Sequence, residues 1–161
     1  MEHVNLNPYS VMNVRLATQI LSSSVSSVLY NYYPESMHGT AALCSFCDKF
    51  FDCLNVRNQL EGVYDRKEFM LPYRDVNDSR FTWLKDTFLQ YLENWKLSIL
   101  NRPGDFTKTD RDRMFLPQQT YDGIRITIHS FIELTQFLLR NGMPYVLSER
   151  LCLPKYSSRT S

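Results

Sequence analysis

Nowhere does the sequence string together the roughly 18 to 20 uninterrupted apolar residues that a membrane-spanning helix needs. Its opening, MEHVNLNPYS, has neither the basic n-region nor the apolar h-region of a secretory leader. No membrane partner is expected, and the chain reads as intracellular, nuclear or cytoplasmic. An excess of charge is also missing: 18 Lys and Arg face 17 acidic residues. That balance removes any whole-domain electrostatic reason to take DNA, RNA or an anionic membrane as the main partner. Glycine is scarce, at five residues, and neither GxxxxGK[ST] nor GxGxxG occurs, so no P-loop or Rossmann turn is present to hold phosphates. There is no GxSxG nucleophile elbow. The three histidines, His3, His38 and His129, are far apart and read as plain structure. Cysteines stand at 44, 47, 53 and 152. Cys44 and Cys47 form a CxxC, but with no second pair or nearby His pair they read as reduced, buried helix thiols and not as a zinc site. The sequon Asn77-Asp78-Ser79 would matter only in a secreted protein.

What is present is enough to fill a core: 43% hydrophobic and 14% aromatic residues in a 161-residue chain, the size of one ordinary domain. Asn7-Pro8 has the form of a helix start, and Val11, Val14, Ala17, Leu21, Val25 and Val28 recur at three- and four-residue steps. The spacing predicts one long amphipathic helix over about residues 8–31. Its run SSSVSS at 22–27 suggests close approach by another helix, since serine is a mediocre helix former. A phosphate-cradling role is disfavoured there, because mid-helix backbone N–H groups are already bonded. Pro34 ends that helix and Gly39-Thr40 supplies a second cap. Leu43, Cys47, Phe50 and Leu54 then mark the buried face of a helix to about Arg57.

Residues 58–79 show no sustained period and hold Gly62 and Pro72, which reads as a long connection. Ser79 caps a third helix, about 80–101, with Phe81, Leu84, Phe88, Tyr91, Trp95 and Ile99 facing the core. After the polar connection DFTKTDRDRM, a fourth helix starts at Leu116-Pro117. It runs through Ile124, Ile128, Phe131, Leu134 and Leu138 to Gly142 and Pro144. YVLSERLCL adds a further helical turn or two. No strand-turn-strand signature or repeat is seen. The fold class expected is therefore all-α, with four or more long amphipathic helices in an irregular bundle. The organisation is an extension over 1–6, one domain over 7–153 and a disordered polar tail over 154–161.

One stretch resists a purely structural account. In FCDKFFDCLNVRN, residues 46–58, polar side chains recur at helical spacing: Ser45, Asp48, Asp52 and Asn55 fall within roughly a quarter turn, away from the phenylalanines. Spacing alone favours a solvated face. Yet a carboxylate accepts two N–H donors from a guanine edge, and a carboxamide both donates and accepts, so Asp52 with Asn55 one turn on has the groups to read a purine.

The order of blocks around that stripe sharpens the choice. YSVMNVRLATQILSSSVSSVL, the FFDCLNVRN block, a Trp-containing helix, TYDGIRITIHSFIELTQFLL and YVLSERL together resemble the insertion domain of P-element-type, THAP-related DNA transposases, over about residues 7–151. In that family the domain is mostly helical, binds GTP and interrupts an RNase H-like catalytic domain. The resemblance implies that the family's guanine-recognising Asp and Asn fall on Asp52 and Asn55. It also implies that its basic M-K-V-K-L-A block corresponds to Met12-Asn13-Val14-Arg15-Leu16-Ala17. Arg15 keeps one positive charge for a phosphate, while Asn13 has lost the other, which implies weakened or lost GTP binding.

Where family members continue into Gln-Asp-Pro-Leu-Glu, this sequence reads Leu151-Cys152-Leu153-Pro154-Lys155-Tyr156. Two-metal phosphoryl transfer needs convergent carboxylates, and the family's catalytic aspartates have no counterpart here. The expectation is an isolated or truncated domain that binds a guanine nucleotide, is not an enzyme, and meets DNA only through missing transposase domains. Against it stands a decayed or domesticated helical interaction module without nucleotide binding, working through a protein partner or a second copy. A complete enzyme is the third alternative.

Overall fold

In the computed structural model, residues 18–152 are described. Among them there is no strand, and the chain is all-α. Among the described residues the only pairing of extended backbone is an isolated antiparallel bridge between Tyr73 and Val146. Contacts divide the chain into two units, Met1–Asn55 and Val56–Ser161, a boundary that falls inside the 7–153 domain read from the sequence.

The described residues of the first unit form a helical hairpin, which departs from the sequence reading at once. Residues 18–20 are helical, but Leu21 and Ser22 leave the helix and a new one, α1, runs over Ser23–Tyr32. The predicted continuous helix over 8–31 is therefore broken at its serines. Ser22 takes an extended conformation, and its hydroxyl accepts from the Val25 N–H at 3.4 Å. A serine side chain offers the backbone an alternative partner, which is why serine suits a cap better than a helix interior. The premise that SSSVSS lies mid-helix fails with it. The expected close approach at the serines does occur: Ser26 donates to the Ala41 carbonyl at 2.7 Å.

After Pro34, a 3₁₀ turn over Glu35–Met37 leads straight into α2, His38–Leu54. Gly39-Thr40 therefore lies inside the first turn and does not cap it. Tyr30 stacks on His38 with ring centroids 4.3 Å apart, closing the hairpin. On α2 the buried residues are Ala41, Cys44, Phe50, Cys53 and Leu54. Leu43 and Cys47, expected in the core, are half-buried.

In the second unit the segment read as a connection is ordered. It holds α3, Glu61–Tyr64, a 3₁₀ turn over Glu68–Met70, and extended backbone at Tyr73. Gly62 is what lets it fold back: a Cβ there would lie 2.8–2.9 Å from backbone atoms of Met70, Leu71 and Lys67. Buried Arg80 then gathers the loop. Its guanidinium donates to the carbonyls of Phe69, Leu71 and Pro72, pairs with Asp78 at 2.7 Å, and lies 3.6 Å from the ring centroid of fully buried Tyr73. Tyr73 in turn stacks on Phe81 and meets Phe131 edge-on.

The third predicted helix is present in three pieces without interruption: α4 over Ser79–Thr82, a π-helical segment over Trp83–Leu89, and α5 over Gln90–Leu100. Its N-cap is Asp78, one residue before Ser79, with the carboxylate accepting from the Arg80 N–H. Through the π turn the predicted core positions Phe81, Leu84 and Phe88 stay buried, as does Ile99 beyond it. Leu92 is buried as well, whereas Tyr91 and Trp95, both expected inside, are half-buried.

DFTKTDRDRM is also more than a connection. Thr107 and Asp110 form a reciprocal capping box that starts α6, Lys108–Arg113. Then α7, Gln118–Arg140, buries Tyr121, Ile128, Phe131, Ile132 and Thr135. Ile128 and Phe131 were expected, whereas Leu134 is exposed and Thr135 takes its place inside. A last turn, α8 over Glu149–Cys152, is tied to the start of the unit by two bonds. The Val56 N–H donates to the buried Ser148 hydroxyl at 2.9 Å, and the Glu149 N–H donates to the Val56 carbonyl at 3.2 Å.

Candidate nucleotide-binding site

The polar stripe sits on the C-terminal half of α2, entirely within the first unit. It is less open than a solvated face would be: Ser45, Asp48, Asp52 and Asn55 are all half-buried, and of residues 45–55 only Lys49 is exposed. Asp48, read as a surface charge, is thus partly covered.

Asn55 does not continue the helix to Arg57 as the periodicity predicts. Helical structure ends at Leu54, and Asn55 is its C-cap with φ −120° and ψ 30°. Its side-chain Nδ2 donates to the Phe51 carbonyl at 2.7 Å, and its backbone N–H donates to the Asp52 carbonyl at 3.4 Å. Those two bonds occupy carbonyls that the last turn of a helix leaves without intrahelical partners. They also fix the amide beside Asp52. One of the two Nδ2 hydrogens is used in this way, which leaves the second hydrogen and Oδ1 to contact a ligand. A carboxylate acceptor and a fixed carboxamide, one turn apart on one edge, form the minimum set for a guanine Watson–Crick edge.

Asn13 and Arg15, the two residues implied for the phosphate end, lie outside the described residues, as does His3. Among the described histidines, His38 begins α2 under Tyr30, and His129 is exposed on α7.

Cys44, Cys47 and Cys53 carry free thiols. Burial pushes the Cys44 thiol up from its ordinary value. Burial first, and then the neighbouring Cys44, push Cys47 up to about 11. Both are protonated at neutral pH, which disfavours them as nucleophiles or metal ligands. No group of three or more His, Cys, Asp or Glu side chains among the described residues could share a metal ion.

Two cavities of the second unit have no counterpart in the sequence reading. One, of about 700 Å³, is walled by Phe69, Trp83 and the Asp78–Arg80 pair, and none of the predicted site residues lines it. The other, of about 420 Å³, lies between α5, α6 and the start of α7. The one available signal for it was the Thr107-x-x-Asp110 capping pattern, which marks DFTKTDRDRM as the entry to a helix.

No helix among the described residues is long and apolar enough to cross a membrane. Neither the curated proteins nor the solved structures contain a match to the chain. A family match does exist: residues 1–67 match the family described as TNP-like, GTP-binding insertion domain. That span contains the whole of α1 and α2 with Asp52 and Asn55, together with the Asn13 and Arg15 positions. Residues 1–67 of this chain thus match the GTP-binding insertion domain of the transposase-like family that its ordered blocks resemble.

Proposed function

We propose that this chain binds a guanine nucleotide through Asp52 and Asn55, and that it acts by binding, without DNA cleavage or joining of its own. The single observation that supports the reading best is the half-buried pair itself. Asp52 and Asn55 are held one turn apart at the end of α2, with the Asn55 amide anchored to Phe51, inside the span that matches a GTP-binding family. In this reading the Asp52 carboxylate accepts two N–H donors of guanine. Adenine presents a different pattern of donors and acceptors there, so a GTP preference follows. Arg15 supplies the one positive charge for the phosphates, and because Asn13 brings none, affinity is modest.

Isothermal titration of the folded chain with GTP and with ATP tests this. Heat with GTP and little with ATP is expected, and Asp52→Asn should weaken GTP binding at least tenfold, since an amide cannot accept both N–H donors. Heat with neither nucleotide would sink the reading. That outcome would favour a helical interaction module, for which the exposed Tyr30, Tyr32 and Tyr33 of the first unit offer a surface.

A further inference from the structure

Two arginines of the second unit are tied down in the same way and differ in one respect. Arg80 donates to three main-chain carbonyls and also pairs with the Asp78 carboxylate. Arg111, half-buried, likewise donates to three, those of Ile99, Leu100 and Arg102 at the end of α5, but among the described residues no carboxylate pairs with it. A helix C-terminus contributes only about half an elementary negative charge. The guanidinium therefore keeps a net positive charge where Arg80 has its charge balanced.

Arg111 forms part of the wall of the 420 Å³ cavity, a volume within the roughly 300–1,000 Å³ usual for small-molecule sites. Lys96, whose ammonium lies 4.9 Å from the Tyr121 ring centroid, and Lys108, the first residue of α6, line the same cavity. Neither has a carboxylate partner among the described residues. Asp112 is the one acid on the wall, so three cations face one anion, and the remaining surface includes Phe115 and Leu116.

We propose that this cavity binds a small phosphorylated organic molecule. Lys96, Lys108 and Arg111 take the phosphate oxygens, and an apolar body lies against Phe115 and Leu116. The surplus of two positive charges matches a phosphate monoester, which carries about −1.5 to −2 at neutral pH, better than a single carboxylate. The site is separate from Asp52 and Asn55, which lie in the other unit, and it stands or falls independently of the guanine reading.

Isothermal titration of the full chain at low ionic strength, with phenyl phosphate, inorganic phosphate and benzoate as probes, tests it. Phenyl phosphate should bind most tightly, since only it supplies both the dianion and the ring. Lys108→Glu, on an exposed residue at the first turn of a helix where a carboxylate is tolerated, should weaken it roughly tenfold or more. Lys96→Gln should weaken it as well, and Asp52→Asn should leave it unchanged. Absence of binding, equal binding of all three probes, indifference to both lysine variants, or loss in Asp52→Asn would each overturn the proposal.

Discussion

Thr135 is fully buried on α7, and its hydroxyl is the one buried side-chain polar atom without a hydrogen-bond partner among the described residues. Leaving a hydroxyl unpaired in a core costs about 1–3 kcal/mol, and valine has nearly the same shape. Thr135→Val should therefore raise stability by about 1 kcal/mol, read from the urea midpoint at unchanged m-value. A loss instead would mean that the hydroxyl is satisfied by a buried water.

Cys47 gives a second prediction at this scale. With its thiol raised to about 11 in the folded chain against an unfolded value near 8.5, the folded state holds a proton that the unfolded state releases first. Its contribution to stability is complete below about pH 8.5 and is lost as pH rises towards 11. Denaturation midpoints of the wild type and Cys47→Ala, compared from pH 7.5 to 10.5, isolate this from tyrosine titration. The gap between them should shift in favour of the variant above about pH 9, and a constant gap would contradict the assignment.

Elements were legible wherever a hydrophobic period runs undisturbed. On α7 it placed Ile128 and Phe131 correctly, and Gly142 and Pro144 closed the helix as their chemistry dictates. It failed where side chains compete with the backbone. Ser22 capped a new helix inside an unbroken stripe, and Arg80 with Gly62 ordered a segment that has no period at all. The π-helical segment is the subtlest failure, because a period of 3.6 cannot anticipate a wider turn. Its consequence is measurable. With Leu92 fully buried, Leu92→Ala creates a cavity and costs about 2–4 kcal/mol, whereas half-buried Tyr91→Ala costs clearly less. The reverse order in chemical denaturation would return Tyr91 to the core face that the periodicity predicts. At the candidate site, Asp52 and Asn55 were readable as a pair, but the helix end that fixes the Asn55 amide was not, because nothing in LNVRN marks Leu54 as the last helical residue.

At the scale of the whole molecule, the proposed guanine site and the densest packing fall on different stretches of chain. Asp52 and Asn55 belong to Met1–Asn55, while the densest aromatic packing, around Tyr73, Phe81 and Phe131, belongs to Val56–Ser161. A ligand that binds only the folded state stabilises it by RT ln(1 + [L]/Kd), so affinity and stability can be perturbed one at a time. Gly62→Ala supplies the test. Its new methyl meets the backbone of Met70, Leu71 and Lys67 at 2.8–2.9 Å, contacts that no side-chain rotation relieves, so a loss of about 2 kcal/mol or more is expected. None of those contacts reaches the Asp52–Asn55 edge. At a temperature where the variant remains folded, its Kd for GTP should equal that of the wild type, while its urea midpoint falls. Asp52→Asn should do the opposite, losing affinity with a far smaller change in midpoint. A Gly62→Ala protein that is folded by circular dichroism yet binds GTP tenfold more weakly would show that the nucleotide site depends on the second unit, and would move the guanine reading away from the end of α2.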